Sequence, residues 1–446
     1  MNSSKKIIPL FGLGAALLSS SALANNNGIT TTIVKHDPNA AITITNSAPA
    51  FTTNAGNTVA TKEYVPLEPN APYNINHHLN RIENANEKTL GSLLTKWRSN
   101  DQPIVVAHFG DSHIQTGWQV GAIRKAFQQE RGNAGRGMIF PYSIAKTYSQ
   151  EDYSSSFTGT WKTSNSIYQP PKIGVGISGF VATTQSAHAQ VNFAFSKSSQ
   201  ELGNVQAKLL FRALNGSYNI TMSNDYTSQT KTVDSQFGDP TQEIVFDLPN
   251  SSKDLKITIE KNGSSNSTFE FHGLDLRNPN SKNGVVYHNL GVGGAAYTAL
   301  LQQKFFEEQF ANLKADLVVL DWGTNDVIYT NKIADNFESN VRKTIRKVRS
   351  INPNAAIVLP SVQEARFKGR NITVSEDYEA LMRRIAFEEG CLYYDWYNIS
   401  GGHNSVNLWK DLGFASKDTI HLNGKGYRVR AQLFANAMLS TLDAYK

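Results

Sequence analysis

Cysteine is almost absent: Cys391 is the single one in 446 residues, so no internal disulfide can form and the fold has to be held by its core. Beyond the first residues no apolar run approaches the ~20 residues that span a bilayer, which excludes stable membrane insertion of the rest. There is no HExxH and no cysteine pair, and the ten histidines are scattered, so no metal site is implied. GxSxG and GxxxxGK[ST] are both missing, which argues against an α/β-hydrolase serine elbow and a P-loop; no cofactor is called for. The formal charge of +6 is modest, with Lys5 and Lys6 supplying two of it, and no basic cluster interleaved with aromatics marks a nucleic-acid partner.

What is present begins with a leader. Lys5 and Lys6 precede an apolar stretch from Ile7 to Leu18, and Ala22-Leu23-Ala24 supplies small residues for cleavage, so residues 1–24 read as a signal peptide. The lone cysteine fits export, lying in GCLYYDW, which reads as a buried strand. Residues 25–80 begin with runs such as NNNGITTTI and TTNAGNTVATK that lack any sustained period, and are expected to form a flexible N-terminal segment.

From about residue 84 the pattern changes. A helix over ENANEKTLGSLLTKWRSN leads into an apolar strand, 104–109, and then Ile114, Trp118, Ala122, Ile123 and Phe127 recur at helical spacing. The same rhythm resumes at residue 284, with strands GVVYHNL, DLVVLDW, AAIVLP and CLYYDW separated by amphipathic helices. Short apolar strands alternating with such helices predict a parallel sheet covered on both faces, a flavodoxin-like doubly wound α/β domain of five strands. It is assembled from residues 81–149 and 283–446. Between them, residues 150–282 carry alternating runs, AQVNFAFS, VQAKLLFR, SYNITMS, TQEIVFDLP, DLKITIEK and STFEFHGLDLR, punctuated by Asn, Gly, Ser, Asp and Pro. Regular alternating strands with turn signals predict an inserted all-β sandwich or jelly roll.

Ligands of a doubly wound sheet collect at the carboxyl ends of its strands. There the sequence places GDSH with Ser112, NLGVGGA with Gly293 and Gly294, and GTND with Asn325; the last loop, KDTIHLNGKGY, brings Asp418 and His421. A serine hydroxyl is a weak nucleophile until a base takes its proton, and the base works best when an acid fixes its tautomer. Asp418 and His421, three apart, suit those roles. The Ser112 and Gly294 backbone N–H groups and the Asn325 side chain can supply the donors a tetrahedral oxyanion needs, with Gly293 a rival to Gly294. Asp111 and Asp326 are expected to brace their loops by local hydrogen bonds. His113 and Gln363 are the candidate substrate contacts, although His113 also suits a structural role at the corner; Glu364 and Arg366 share Gln363's loop.

These blocks, GDSH, NLGVGG, GTND and DTIH in that order, resemble the SGNH (GDSL-type) hydrolases, with His113 standing where the family usually has leucine. The resemblance implies Ser112 as nucleophile, Gly294 and Asn325 as oxyanion donors, Asp418 as the orienting acid and His421 as base. A GDSH corner, a leader and an inserted β domain together resemble the peptidoglycan O-acetylesterases of Gram-negative bacteria. That implies a periplasmic serine esterase acting on the acetyl ester at C6 of N-acetylmuramic acid, with an insertion like a carbohydrate-binding module. Its partner would be O-acetylated peptidoglycan or a related glycan. Deacetylation of another polysaccharide, or transfer of the acetyl group to a sugar, would use the same residues. A non-catalytic wall-binding protein is the alternative of another class.

Overall fold

The computed structural model describes residues 61–196, 203–251, 254–263 and 266–446. The leader and residues 25–60 lie outside them. The strands, in chain order, are β1 (Ile104–Gly110), β2 (Asn133–Ile139), β3 (Tyr153–Thr158), β4 (Trp161–Asn165), β5 (Phe180–Thr184), β6 (His188–Phe195), β7 (Gly203–Leu214), β8 (Ser217–Ser223) and β9 (Ser228–Asp234). They continue with β10 (Gln242–Ser251), β11 (Asp254–Asn262), β12 (Thr268–Arg277), β13 (Val285–Gly291), β14 (Leu317–Asp321), β15 (Ala356–Pro360), β16 (Arg366–Phe367), β17 (Arg370–Asn371) and β18 (Leu392–Tyr394).

The five strands expected to be parallel pair in the order β13-β1-β14-β15-β18. Numbered along the chain this is 2-1-3-4-5, the order of a flavodoxin-like sheet. Its strands are apolar throughout because both faces are covered. Val105, Ala107 and Phe109 of β1 belong to one buried cluster, while Ile104 and Val106 point into the other. The second cluster is closed by the helices Trp118–Arg131 and Gly424–Ala444, which pack on each other.

A sixth parallel strand, β2, adds to β13, and the sequence analysis does not anticipate it. Its sequence, NAGRGMI, has no strand-like alternation. Gly135 and Gly137 have φ of +139° and +84°, and a Cβ on either would meet a backbone carbonyl of a neighbouring strand at 2.5 and 2.7 Å. Glycine here serves close approach on both edges, since β2 runs parallel to β13 on one side and antiparallel to β12 on the other.

All six alternating runs of the middle segment are strands, joined by β3, β4, β5 and β9. They divide between two sheets. Strands β3-β6-β11-β8-β9 form a separate antiparallel sheet, whereas β10-β7-β12, with β5 and β4, continue the parallel sheet through β2 into eleven strands. Phe193, Tyr218 and Ile220 of the five-stranded sheet share a buried cluster with Phe211, Phe269 and Phe271 of the larger one.

Residues 61–80, expected to be flexible, instead run along the C-terminal helix. Asn436 Oδ1 accepts from the backbone N–H of Tyr64 and Val65 at 2.9 Å each, and the Asn80 amide donates to the Leu433 carbonyl at 3.1 Å. Side chains of a distant helix thus satisfy this segment's backbone, a pairing that composition does not reveal.

Candidate active site

Strand β1 ends at Gly110, and the chain turns at once into the short helix Ser112–Gln115, with Asp111 accepting from the His113 N–H at 2.9 Å as its cap. Ser112 therefore opens a helix at the carboxyl end of the sheet. Its Oγ lies 2.8 Å from His421 Nε2, and His421 Nδ1 lies 2.7 Å from Asp418 Oδ2. The second Asp418 oxygen accepts from the backbone N–H groups of Ile420 and His421, both at 3.0 Å. Burial pushes the Asp418 carboxyl up, but these amides and the His421 ring outweigh it and hold it below the usual range. An ionised acid, an imidazole and a hydroxyl in line can relay a proton away from the serine.

Facing this line is the β13 loop. Gly293 N–H donates to Gln115 Oε1 at 2.6 Å and so is already engaged. No hydrogen bond from the Gly294 or Ser112 N–H is found among the described residues, and a Cβ on Gly294 would meet nothing within 4 Å. Of the two glycines, Gly294 is the one with a free donor and open space beside it. Asn325 lies in the next loop; its Nδ2 donates to the Ala295 carbonyl at 2.9 Å and more weakly to Asp111 at 3.4 Å. The N–H turned toward Asp111 is the one a stronger acceptor can capture.

The acids behind the rim differ sharply. Burial raises Asp111 to about 8 and Asp326 to about 7, against the pull of the His113 and Tyr297 N–H groups that each accepts from. Asp111 braces its own corner, as expected, whereas Asp326 ties its loop to the one bearing Tyr297. Asp321, at the end of β14, is equally buried, but Arg430 grips both its oxygens at 2.8 and 2.9 Å and overcomes burial, bringing it to about 2. One fixed ion pair thus sits beneath two carboxyls that hold their protons near neutral pH.

Of the two candidate contacts, His113 takes the structural role weighed for it and Gln363 is corrected. His113 is 2% exposed, its Nδ1 bonded to the Tyr427 hydroxyl at 2.9 Å and its ring centroid 5.0 Å from that of His421. Gln363 is also 2% exposed, accepting from Trp396 Nε1 at 2.6 Å and donating to the Glu364 carbonyl at 3.1 Å. Each is built into the packing behind the rim.

Three residues at the rim escape sequence reading. Gln115 is fully buried and links the loops, accepting from Gly293 while donating to the Tyr148 carbonyl at 2.8 Å. A buried amide on the Ser112 helix is the signal that could have marked it. Tyr148, 44% exposed, brings its hydroxyl to within 2.6 Å of where a Gly293 Cβ would stand. Thr419, between the acid and the base, has φ of +56°, an outlier for a β-branched residue that costs roughly 1–3 kcal/mol. Its carbonyl accepts from the Arg366 N–H at 2.8 Å, so the neighbouring loop holds the strained turn, while its hydroxyl lies 2.7 Å from the Asp418 carbonyl and 3.2 Å from that of Arg366. No local pattern announces that conformation.

Residues 269–429 match the model of the GDSL-like lipase/acylhydrolase family. A search of curated proteins finds no match to this sequence. Among solved structures, one described as a peptidoglycan O-acetylesterase in action matches with a TM-score of 0.68 at 21% identity, over 81% of this chain and 99% of that one; the likeness is one of fold. Smaller overlaps are with an acetylxylan esterase from Geobacillus stearothermophilus (TM-score 0.27, 20% identity, 34% of this chain and 70% of that one) and a family two carbohydrate esterase from Clostridium thermocellum in complex with cellohexaose (0.28, 12%, 59% and 95%).

Proposed function

Taking as premise that this chain is a carboxylic-ester hydrolase resembling the SGNH type, we propose that it removes O-acetyl groups from peptidoglycan, at C6 of N-acetylmuramic acid, through an acetyl-serine intermediate. The observation that carries the chemistry is the unbroken line from Asp418 through His421 to Ser112 Oγ, at 2.7 and 2.8 Å. His421 takes the Ser112 proton as Oγ attacks the acetyl carbonyl. The Ser112 and Gly294 N–H groups and the Asn325 amide receive the oxyanion, each donor contributing about 3 kcal/mol in comparable sites. The proton then passes from His421 to the departing sugar oxygen, leaving acetyl-Ser112. Water then attacks the acetyl carbonyl as His421 takes its proton, and collapse of the intermediate returns that proton to Ser112 Oγ and releases acetate.

The substrate part of the reading is supported by the fold likeness to a peptidoglycan O-acetylesterase, which covers 81% of this chain. We read the two antiparallel sheets as a jelly-roll-like, carbohydrate-binding insertion, because their facing apolar residues share one buried cluster. Periplasmic localisation belongs to the same reading and rests on the leader. Acetate release from purified O-acetylated peptidoglycan, measured beside acetylated xylan and with Ser112→Ala as control, tests it. Release from peptidoglycan, lost in the variant, is expected; equal release from xylan would sink the substrate assignment, and label transferred to a sugar instead of free acetate would sink hydrolysis.

A further inference from the structure

The loop after β15 folds back as the hairpin β16–β17, whose sequence RFKGRN holds three cations and no acid. Arg366 is spent within the fold, its guanidinium reaching the Gly369 carbonyl and Asn404 Oδ1. Lys368 and Arg370 are exposed, and neither forms an ion pair among the described residues. Arg342, Arg383 and Arg384, by contrast, each pair with glutamates, although Lys343, Lys417 and Lys425 are exposed and, among the described residues, unpaired like the hairpin's two; what distinguishes Lys368 and Arg370 is the aromatic pair beside them. Acids of the neighbouring segments are occupied: Glu376 with His403 at 3.4 Å, Asp418 with His421, and buried Glu364 with the Val406 N–H at 2.8 Å.

An aromatic edge accompanies the cations. Tyr329 is 75% exposed and stands edge-on to Phe367, with ring centroids 5.1 Å apart, while Lys368 Nζ lies 5.2 Å from the Phe367 ring centre. Tyr329 follows Asn325 by four residues. The hairpin is joined to the catalytic loop by the two Arg366–Thr419 bonds, and Thr419 precedes His421 by two residues, at most about 7 Å of extended chain. An exposed tyrosine on a half-buried phenylalanine and two unpaired cations therefore lie on the elements next to the proposed base.

Sugar rings present apolar C–H faces that pack on aromatic side chains, and unpaired surface cations favour an anionic ligand. A neutral polysaccharide would use the first feature and leave the second idle. We propose that Tyr329, Phe367, Lys368 and Arg370 form a subsite that selects an anionic glycan, packing against a sugar next to the esterified one and pairing with carboxylates borne by the polymer. The subsite rests on the reading above and deepens it, the peptides of peptidoglycan being a source of such carboxylates.

The test is a Lys368→Ala/Arg370→Ala double variant and, separately, Tyr329→Ala. Kinetics are measured on O-acetylated peptidoglycan, acetylated pectin as a second anionic glycan and acetylated xylan as a neutral one, with p-nitrophenyl acetate reporting an intact triad. The double variant is expected to raise KM on the preferred anionic glycan on the order of 5- to 10-fold with kcat retained, and to flatten its salt dependence. Tyr329→Ala should raise KM on all three polymers. If the wild type prefers pectin and the double variant loses that preference, the subsite stands and the peptidoglycan assignment falls. An unchanged KM on both anionic glycans overturns the subsite whatever the wild type prefers.

Discussion

The parallel and antiparallel parts of the molecule put similar strands to different use. In β1, β13 and β14 every residue is buried, the faces are covered, and the polar chemistry is pushed to the strand ends, where loops from residues 300 apart converge on Ser112. In β6 and β11 buried and exposed residues alternate, one face is core and the other meets water, and the polar groups are spread along the strands. A sheet buried on both faces concentrates function at its rim, while a sheet with one wet face offers breadth. Changes at the rim should therefore alter rate without stability, and changes in the antiparallel core should do the reverse.

Ser112→Ala is the largest expected effect at the rim: acetate release should fall by about a thousandfold or more with the melting temperature unmoved. A variant that stayed active would remove the serine mechanism outright. On the other side, Phe269, stacked on Phe211 at 5.5 Å and edge-on to Tyr218, is fully buried in β12. Phe269→Ala should cost about 3–5 kcal/mol in denaturant unfolding while kcat of the folded fraction is kept. Loss of kcat there would erase the contrast between the two parts.

Asn325→Ala sharpens the division, since it should lower kcat by about 10²–10³-fold and leave KM nearly unchanged, if the amide acts only on the developing oxyanion. A pH titration of stability probes the ion pair beneath the rim. Asp321 titrates at about 2 when folded and near 4 when unfolded, so the stability it contributes is present above about pH 4 and is lost as pH falls toward 2. A thermal-stability profile flat down to pH 2 would contradict the pairing with Arg430. The smallest effect belongs to Thr419→Val, which keeps the branched side chain but loses the hydroxyl that bonds the Asp418 carbonyl and approaches that of Arg366; kcat should drop about 3- to 10-fold, and Thr419→Ser should restore it. Equal activity in both variants would mean that the hydroxyl does not hold the turn.

Legibility followed locality. The five apolar strands and the loops bearing Ser112, Gly294, Asn325, Asp418 and His421 could be read because each is a short pattern in a known place along the chain. Strand β2 could not, because its glycines serve neighbours on both edges and leave no alternation. The link from Gln115 to Gly293 spans 178 residues, and the Thr419 turn is held by a hairpin 53 residues away, so neither leaves a trace within any window of sequence. Gln363 was misplaced for a related reason: a polar residue near a strand end can face inward once Trp396 arrives to bond it.

The unbroken run of eleven strands also limits how this molecule can be recombined. Excising the middle segment would strip β12 from β2 and leave the backbone N–H and C=O groups of a glycine-rich strand bare along an open edge, an invitation to pair with another chain. The antiparallel strands are not a detachable cassette. Grafting a different binding module into this scaffold would succeed only if the replacement brought a strand of its own to lie beside Gly137.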